Sequence, residues 1–501
     1  MDLYVNDVTF SRMENNLKKL NKKGKFTLKL ICQDIRYGYS KRSYDVNYND
    51  VLLNQSQKDA INQSLYSKDF FLIHGPFGTG KTQTLTELIY QEAKKGNKVL
   101  ATAESNAAVD NIVEKLVKIN DLDITRLGPP QKVSKDIIGQ TVLCKLEEHE
   151  SYSKIKRINK ELDELNEQLK EIKSKPKSKV RKNFLRSEIR RRKEVIRKTE
   201  KIIIGDIIEK SQVILTTNSS AALDEISDIE FDVAIIDEAS QTTIPSILIP
   251  IAKAKRFILA GDHKQLPPTV LKAKELENTL FKKFIEKYPS KKQVLNIQYR
   301  MNEKLMKFPN SEFYNNELIC YEKVKNRSIG INRKDLDIDS PLVFIDTCNH
   351  QECHETKLKY SKSYINTLEA KLVLKIVNDY LDLGIGQEDI GVISPYSDQV
   401  NLIANETDVE VKTVDGFQGR EKEIIIISTV RSNENGKIGF LKDLRRLNVA
   451  ITRAMTKLII IGDSKTLKHN NTYKRLIDNC RTDNDIIEFK GELEDLEREQ
   501  K

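Results

Sequence analysis

The sequence predicts an α/β protein of two parallel-sheet domains, with a helical hairpin inserted in the first. Three observations carry that prediction. Short β-rich apolar runs recur ("FFLIHG", "KVLATA", "VILTT", "FDVAIIDE", "RFILAGD"), each ending in small, acidic or turn residues. Helix-patterned segments separate most of them, which is the alternation of parallel α/β layering. A second series, "QVLNIQY", "PLVFIDT", "IGVISPY", "VEVKTVDGF", "EIIIISTV" and "KLIIIGD", begins near residue 290, and 501 residues exceed what one ordinary core accommodates.

Taken in order, residues 1–49 read as an N-terminal helix and linker, and 50–289 as the first domain. Within it, 145–205 breaks the alternation. Ile155, Ile158, Leu162, Leu165, Leu169 and Ile172 follow at spacings of three and four, a heptad seam. "KSKPKSK" interrupts that helix because proline cannot continue it. Leu185, Ile189 and Ile196 mark a returning partner, so the segment is expected to be an antiparallel hairpin. Its distal arm, 173–201, carries fourteen Lys or Arg against three Glu, a composition suited to nucleic acid or simply to a charged surface. The second domain is expected over 290–482, and 483–501 reads as an acidic, frayed helical tail.

The net charge of +10, with 32% charged residues, favours solubility and a polyanionic partner without identifying one. Six cysteines spread over the chain make no disulfide framework and suggest a reducing interior. The start, "MDLYVNDVTF", lacks a basic, apolar leader, and no apolar stretch approaches about eighteen residues. Neither secretion nor a membrane span is expected, and the cytoplasm or nucleus is the expected compartment.

"GPFGTGKT" fits G-x-x-x-x-G-K-[ST] between a strand and a helix. Gly75, Gly78, Thr79 and Gly80 let backbone N–H groups close around phosphates, and Gln83 follows them. Lys81 is placed to reach the outer phosphates of ATP and Thr82 to ligate Mg2+. A carboxylate must end a neighbouring strand, and "VAIIDEAS" supplies Asp237 for the metal and Glu238 for the attacking water.

"DEASQ", "GDHKQLPP", "QYRM", "VDGFQGREKE" and "RRLNVAITRA", in that order, resemble the motif series of superfamily 1 helicases. The resemblance covers nearly the whole chain. It is closest to the 5′→3′ branch that includes the nonsense-mediated-decay helicase and the immunoglobulin mu-binding helicase. It implies two RecA-like domains forming an ATP cleft. It also implies that Gln57 reads the adenine edge, that Tyr299 stacks on adenine and that Gln265 senses the γ-phosphate. Arg300 and Arg453 match the arginines that reach the transferring phosphoryl group, and Glu421 matches the ribose-binding and coupling glutamate, with Gly416, Gln418 and Gly419 shaping its loop. Ser105, Asn106, Thr216, Thr217, Ser394, Pro395 and Tyr396 match strand contacts, although each Ser or Thr also reads as a helix cap.

The resemblance therefore implies a monomeric ATP- and Mg2+-dependent motor moving 5′→3′ on single-stranded DNA or RNA and opening duplexes with a 5′ tail. An ATP-gated binding clamp that separates no strands is the alternative. Phe77 stands where the family usually has proline, and Met455 where arginine is common. "NDVTFSRMENNLKKL" looks like the stalk that follows a small β-barrel in relatives, so that barrel is expected to be missing or the chain shortened. "CNHQECH" clusters Cys348, His350, Cys353 and His354 more tightly than paired zinc modules do, and reads as a surface loop.

Overall fold

A computed structural model describes residues 3–33, 46–119, 121–129, 133–173, 179–270, 272–330 and 339–491. The interruption at 174–178 and the tail beyond residue 491 lie outside the described residues. The chain forms two compact units, Met1–His74 with Lys81–Gly261 and Pro267–Val294, and Gly75–Gly80 with Asp262–Leu266 and Leu295–Lys501.

The first unit is built on a seven-stranded sheet in which every pairing is parallel. Its strands are β1 (Phe70–His74), β2 (Val99–Ala103), β3 (Ile124–Arg126), β4 (Val213–Thr217), β5 (Phe231–Ile236), β6 (Ala254–Gly261) and β7 (Lys292–Val294), in the order β3-β4-β2-β5-β6-β1-β7. β1 and β2 are buried at every position, which is why they read as unbroken apolar runs rather than alternating ones. The helices are α1 (Leu3–Lys18), α2 (Lys22–Cys32), α3 (Gln55–Leu65), α4 (Lys81–Lys94), α5 (Asn106–Ile119), α6 (Val142–Glu148), α7 (Tyr152–Lys173), α8 (Lys179–Lys210), α9 (Ile244–Ile251) and α10 (Leu280–Lys287). Asn21 caps α2 by accepting from the Gly24 N–H at 2.9 Å.

α7 and α8 run antiparallel. Ile155 clusters with Ile203 and Ile207 at the base, and Arg192 Nε donates to Glu161 Oε2 at 3.0 Å farther out. Ile158, Leu162, Leu185 and Ile189 bury the seam between them.

The second unit carries a six-stranded parallel sheet ordered β12-β11-β13-β14-β10-β15. A short parallel pair, β8 (Ile297–Gln298) and β9 (Ile319–Cys320), precedes it. The six strands are β10 (Leu342–Asp346), β11 (Ile390–Ser394), β12 (Glu410–Thr413), β13 (Lys422–Ser428), β14 (Ala454–Gly462) and β15 (Ile486–Glu488). The helices are α11 (Glu303–Phe313), α12 (Glu322–Lys325), α13 (Thr367–Asp382), α14 (Ser397–Ala404), α15 (Leu444–Ile451), α16 (Ser464–Leu467) and α17 (Asn471–Thr482).

Two expectations are corrected. "QVLNIQY" does not open the second sheet: its first residues fall in β7, which pairs with β1, and Ile297–Gln298 form β8. The described part of the tail is not helical, because Ile486–Glu488 pair with Phe344–Asp346 as an edge strand. Two adjacent half-buried isoleucines gain more from an edge of the sheet than from a solvated helix.

All six cysteines are free thiols. Among the described residues, no helix is long and apolar enough to cross a membrane.

A polar network lies buried beyond the carboxyl ends of β11 and β13. Glu369 on α13 accepts from Ser428 Oγ at 2.7 Å and from the Val430 N–H at 2.8 Å. Asn366 Nδ2 donates to the Val430 carbonyl at 3.2 Å. Val430 has φ +70°, an outlier for a β-branched residue, and these two side chains grip it on both sides of its Cα.

Burial pushes the Glu369 carboxyl up to about 8, against the lowering pull of its Ser428 and Val430 donors. The folded chain then keeps a proton that the unfolded chain releases near its ordinary value of 4.5, so stability should fall as pH rises from about 4.5 to about 8 and level off above. Glu369→Gln should flatten that decline and stabilise the protein near pH 8 by up to roughly 5 kcal/mol. Urea melts across this pH range check it, and parallel curves for variant and wild type would refute it.

Candidate nucleotide and nucleic-acid sites

β1 ends at His74, the loop Gly75–Gly80 follows, and α4 starts at Lys81. Gly78 and Gly80 take φ +65° and +74°. At Gly78 a Cβ would stand 2.6 Å from Arg300 Cβ, so the position requires glycine for space as well as for conformation. The Thr79 hydroxyl donates to the Pro76 carbonyl at 2.8 Å and braces the loop from within. Phe77 is buried edge-on against Tyr314 with ring centroids 5.5 Å apart.

The first unit brings a cation and two carboxylates together. Lys81 Nζ lies 2.7 Å from Glu238 Oε1 and 3.3 Å from Asp237 Oδ1, although 157 residues separate Lys81 from Glu238. Asp237 and Glu238 follow directly on β5, so both stand beyond the carboxyl end of a central strand. Burial opposes the charge of Lys81, but Asp237 and Glu238 outweigh it and raise its pKa, so the lysine stays an ammonium. Burial raises the pKa of Asp237, with Lys81 pulling the other way.

Glu238 has φ +50°, a left-handed conformation uncommon outside glycine and Asn. Its N–H donates to Asp237 Oδ1 at 2.7 Å, and Gln241 Nε2 donates to its Oε2 at 2.7 Å. The turn and Gln241 together aim the carboxylate. Thr82 is half-buried in the first turn of α4. Gln83 Nε2 donates to Asp50 Oδ2 at 2.5 Å. Gln57 is buried in the capping box that starts α3, where its Oε1 accepts from the Asn54 N–H at 2.9 Å.

The second unit groups most of the remaining expected nucleotide residues. Arg300 Nε donates to Glu421 Oε2 at 2.6 Å, and Arg300 Nη1 to the Thr452 carbonyl at 2.8 Å. The next residue, Arg453, is buried and donates to the carbonyls of Val449 at 3.0 Å and Arg420 at 3.2 Å. Gly419, at φ +80°, turns the chain just ahead of Arg420 and Glu421. Tyr299 donates its N–H to the Gly78 carbonyl at 2.8 Å and sets its ring 4.7 Å from that of Tyr321. Gln265 Nε2 donates to Asp262 Oδ2 at 2.9 Å. Asp262 also accepts from the buried Tyr314 hydroxyl at 2.7 Å, to which Asn448 Nδ2 donates at 2.8 Å. The sequence reading missed this chain: Asp262, Gln265 and Asn448 fall within the quoted motifs, but Tyr314, which joins them, lies outside all of them.

The seven expected strand contacts differ in exposure. Ser105 is exposed and accepts from the Ala108 N–H at 3.2 Å, as a helix cap does. Asn106 Oδ1 accepts from Arg126 Nη2 at 2.9 Å. Arg126 is itself fully buried and paired with Asp110 at 2.9 Å, an anchor that an isolated "TRL" does not announce. Thr216 is buried and donates to the Leu127 carbonyl at 3.1 Å; Thr217 is half-buried against Ser220. Ser394 and Tyr396 are buried and Pro395 is half-buried. The Tyr396 hydroxyl accepts from Arg431 Nη1 at 3.2 Å.

In the cysteine and histidine cluster, Cys353 and His354 approach to 4.0 Å, while His350 packs on Phe489. Cys348 lies instead with Asp346 and Asp463, their ligand atoms within 4.8 Å of one another. Asp463 is already occupied as the cap of α16, accepting from the Lys465 and Thr466 N–H groups.

Two family profiles, each described as an AAA domain, match residues 52–273 and 276–465. The chain is 43% identical to the uncharacterized ATP-dependent helicase MJ0104 of Methanocaldococcus jannaschii, over 95% of this chain and 78% of that one. It is 34% identical to the DNA-binding protein SMUBP-2 of Mesocricetus auratus, over 95% of this chain but only about half (49%) of that longer protein. It is 37% identical to the DNA polymerase alpha-associated DNA helicase A of Schizosaccharomyces pombe, over 85% of this chain and 65% of that one. The phosphate loop, the carboxylate pair beyond β5 and these likenesses agree: the chain belongs to the superfamily 1 helicase family.

Proposed function

We propose that this chain is an ATP-dependent motor that moves 5′→3′ along single-stranded DNA or RNA and opens duplexes carrying a 5′ tail. The convergence of Lys81, Asp237 and Glu238 beside the phosphate loop carries the proposal. Lys81, held charged by its two carboxylates, binds the outer phosphates. Glu238, held by Gln241 and its left-handed backbone, orients the attacking water and takes its proton. Gln265 senses the γ-phosphate, and Arg300 and Arg453 offset the charge that develops on the transferring group. Gln57 and Tyr299 serve the adenine, and Glu421 the ribose.

The donor set suits magnesium, because the Thr82 hydroxyl and the Asp237 carboxylate are hard oxygen ligands and the carboxylate is buried, where a dication favours its ionised form. When bound, the ion neutralises charge on the phosphate oxygens. Residues 50–289, carried on to Val294 by β7, and the rest of 290–482, carried on to Glu488 by β15, would be the two motor domains. The hairpin at 145–205 would offer its basic arm to nucleic acid. The compartment would be the cytoplasm or nucleus and the working form a monomer.

Strand separation on matched DNA and RNA duplexes with a 5′ or a 3′ tail, with ATP hydrolysis recorded in the same reactions, tests the reading. Opening of the 5′-tailed duplexes alone is the expected result. Strand-stimulated hydrolysis with no duplex opened would replace the motor with an ATP-gated clamp, and hydrolysis indifferent to nucleic acid would remove both.

A further inference from the structure

Between β10 and α13 the chain forms a small hairpin. Thr356 and Ile365 exchange backbone hydrogen bonds of 2.7 and 2.9 Å, and residues 357–364 make the loop beyond them. The loop reads "KLKYSKSY", with three lysines and no acidic residue. Lys357, Lys359 and Lys362 are exposed and make no ion pair among the described residues. At the tip, Tyr360 is 97% exposed and holds φ +72°, a conformation that a bulky residue rarely adopts without a compensating use. Its only ring neighbour among the described residues is the ammonium of Lys359, 5.7 Å from the centroid.

The base of the hairpin, by contrast, is firmly held. Glu355 accepts from Arg431 Nε at 2.8 Å and from the Ser432 N–H at 2.7 Å. The Arg431 guanidinium lies 4.5 Å from the Tyr364 centroid, and Tyr364 meets Tyr396 edge-on at 5.7 Å. Asp398 donates its N–H to Ser363 Oγ at 3.2 Å. These anchors follow β11 and β13, so the loop projects from the carboxyl edge of the six-stranded sheet, where open parallel sheets bind ligands.

We infer that this hairpin is a contact for single-stranded nucleic acid, in which Tyr360 stacks on a base while Lys357, Lys359 and Lys362 bind the flanking phosphates. The inference rests on the nucleic-acid motor reading and adds to it a site outside the helicase motifs. An exposed ring among unpaired cations, without acidic residues, is the combination that holds single strands regardless of sequence. The one exposed leucine beside it, Leu358, offers too little apolar surface to seat a protein partner. The anchored base keeps the ring at a fixed height above the sheet, so little ordering is needed on binding.

Anisotropy titrations of the full chain with labelled single-stranded DNA and RNA oligonucleotides, at several salt concentrations, test it. Tyr360→Ala should bind roughly ten-fold more weakly, while Tyr360→Phe stays near wild type. The triple variant Lys357→Gln, Lys359→Gln, Lys362→Gln should reduce the slope of log affinity against log salt by about 2. ATP hydrolysis without strand should be unchanged in all of them. If wild type binds strand and is stimulated by it while both Tyr360→Ala and the triple variant bind within about two-fold of it, the hairpin is not a contact and the motor stands. If wild type neither binds strand nor responds to it, the motor reading fails and takes this inference with it.

Discussion

Glu238→Gln should bind ATP as wild type does while hydrolysis falls by roughly 10²- to 10⁴-fold, the range expected when a positioned general base is lost. The amide keeps the size of the carboxylate and can still accept from Gln241 Nε2, so the turn at φ +50° should persist. What disappears is the charge that faces Lys81 at 2.7 Å and the ability to take a proton from water. Nucleotide binding followed by fluorescence, beside steady-state phosphate release, separates the two effects. Near-normal turnover would remove Glu238 from the water-orienting role and leave the assignment to Asp237 or to a residue outside the pair.

Arg453→Ala should lose strand-stimulated hydrolysis by roughly 10³- to 10⁵-fold while strand affinity stays close to wild type, because a guanidinium of this kind acts on charge that appears only in the transition state. Arg453 is buried and donates to the Val449 and Arg420 carbonyls, so the same substitution also frees two acceptors. Arg453→Lys is the informative companion: it keeps a positive charge but cannot reproduce the planar fork. A lysine variant that melts with wild type yet remains slow would assign the loss to chemistry. Loss of strand affinity in step with hydrolysis would place Arg453 against nucleic acid instead.

Much of the fold was legible because its pattern is local. Strands buried on both faces write themselves as apolar runs, and the loop after β1 combines glycines, a lysine and a hydroxyl within eight residues. Asp237 and Glu238 were legible for the same reason, ending the run that became β5. The unread features depend on partners far away in the chain. Arg126 finds Asp110, and Glu369 finds Val430 across 61 residues; neither pairing leaves a periodic trace. For Thr216 and Ser394, matched to strand contacts by resemblance, the residue type alone did not show their burial, since a hydroxyl at a strand end reads the same whether it faces solvent or, like that of Thr216, a buried carbonyl. β15 was missed because three residues carry too little period to register, and only β10 beside them makes them a strand.

The order of strands in the first sheet has a consequence for how the protein is made. β1, which carries the phosphate loop, is the first strand synthesised, yet its two neighbours, β6 and β7, are the last of the seven. Phe70 must wait for Phe257, and His74 for Gly261. During that interval "FFLIH" is an uncharged, β-prone segment with no partner, the kind of stretch that associates between nascent chains. The strand that leads into the phosphate loop is therefore among the last of the first sheet to be paired, and a chain that ends before β6 carries every residue of that loop behind an unpaired β1.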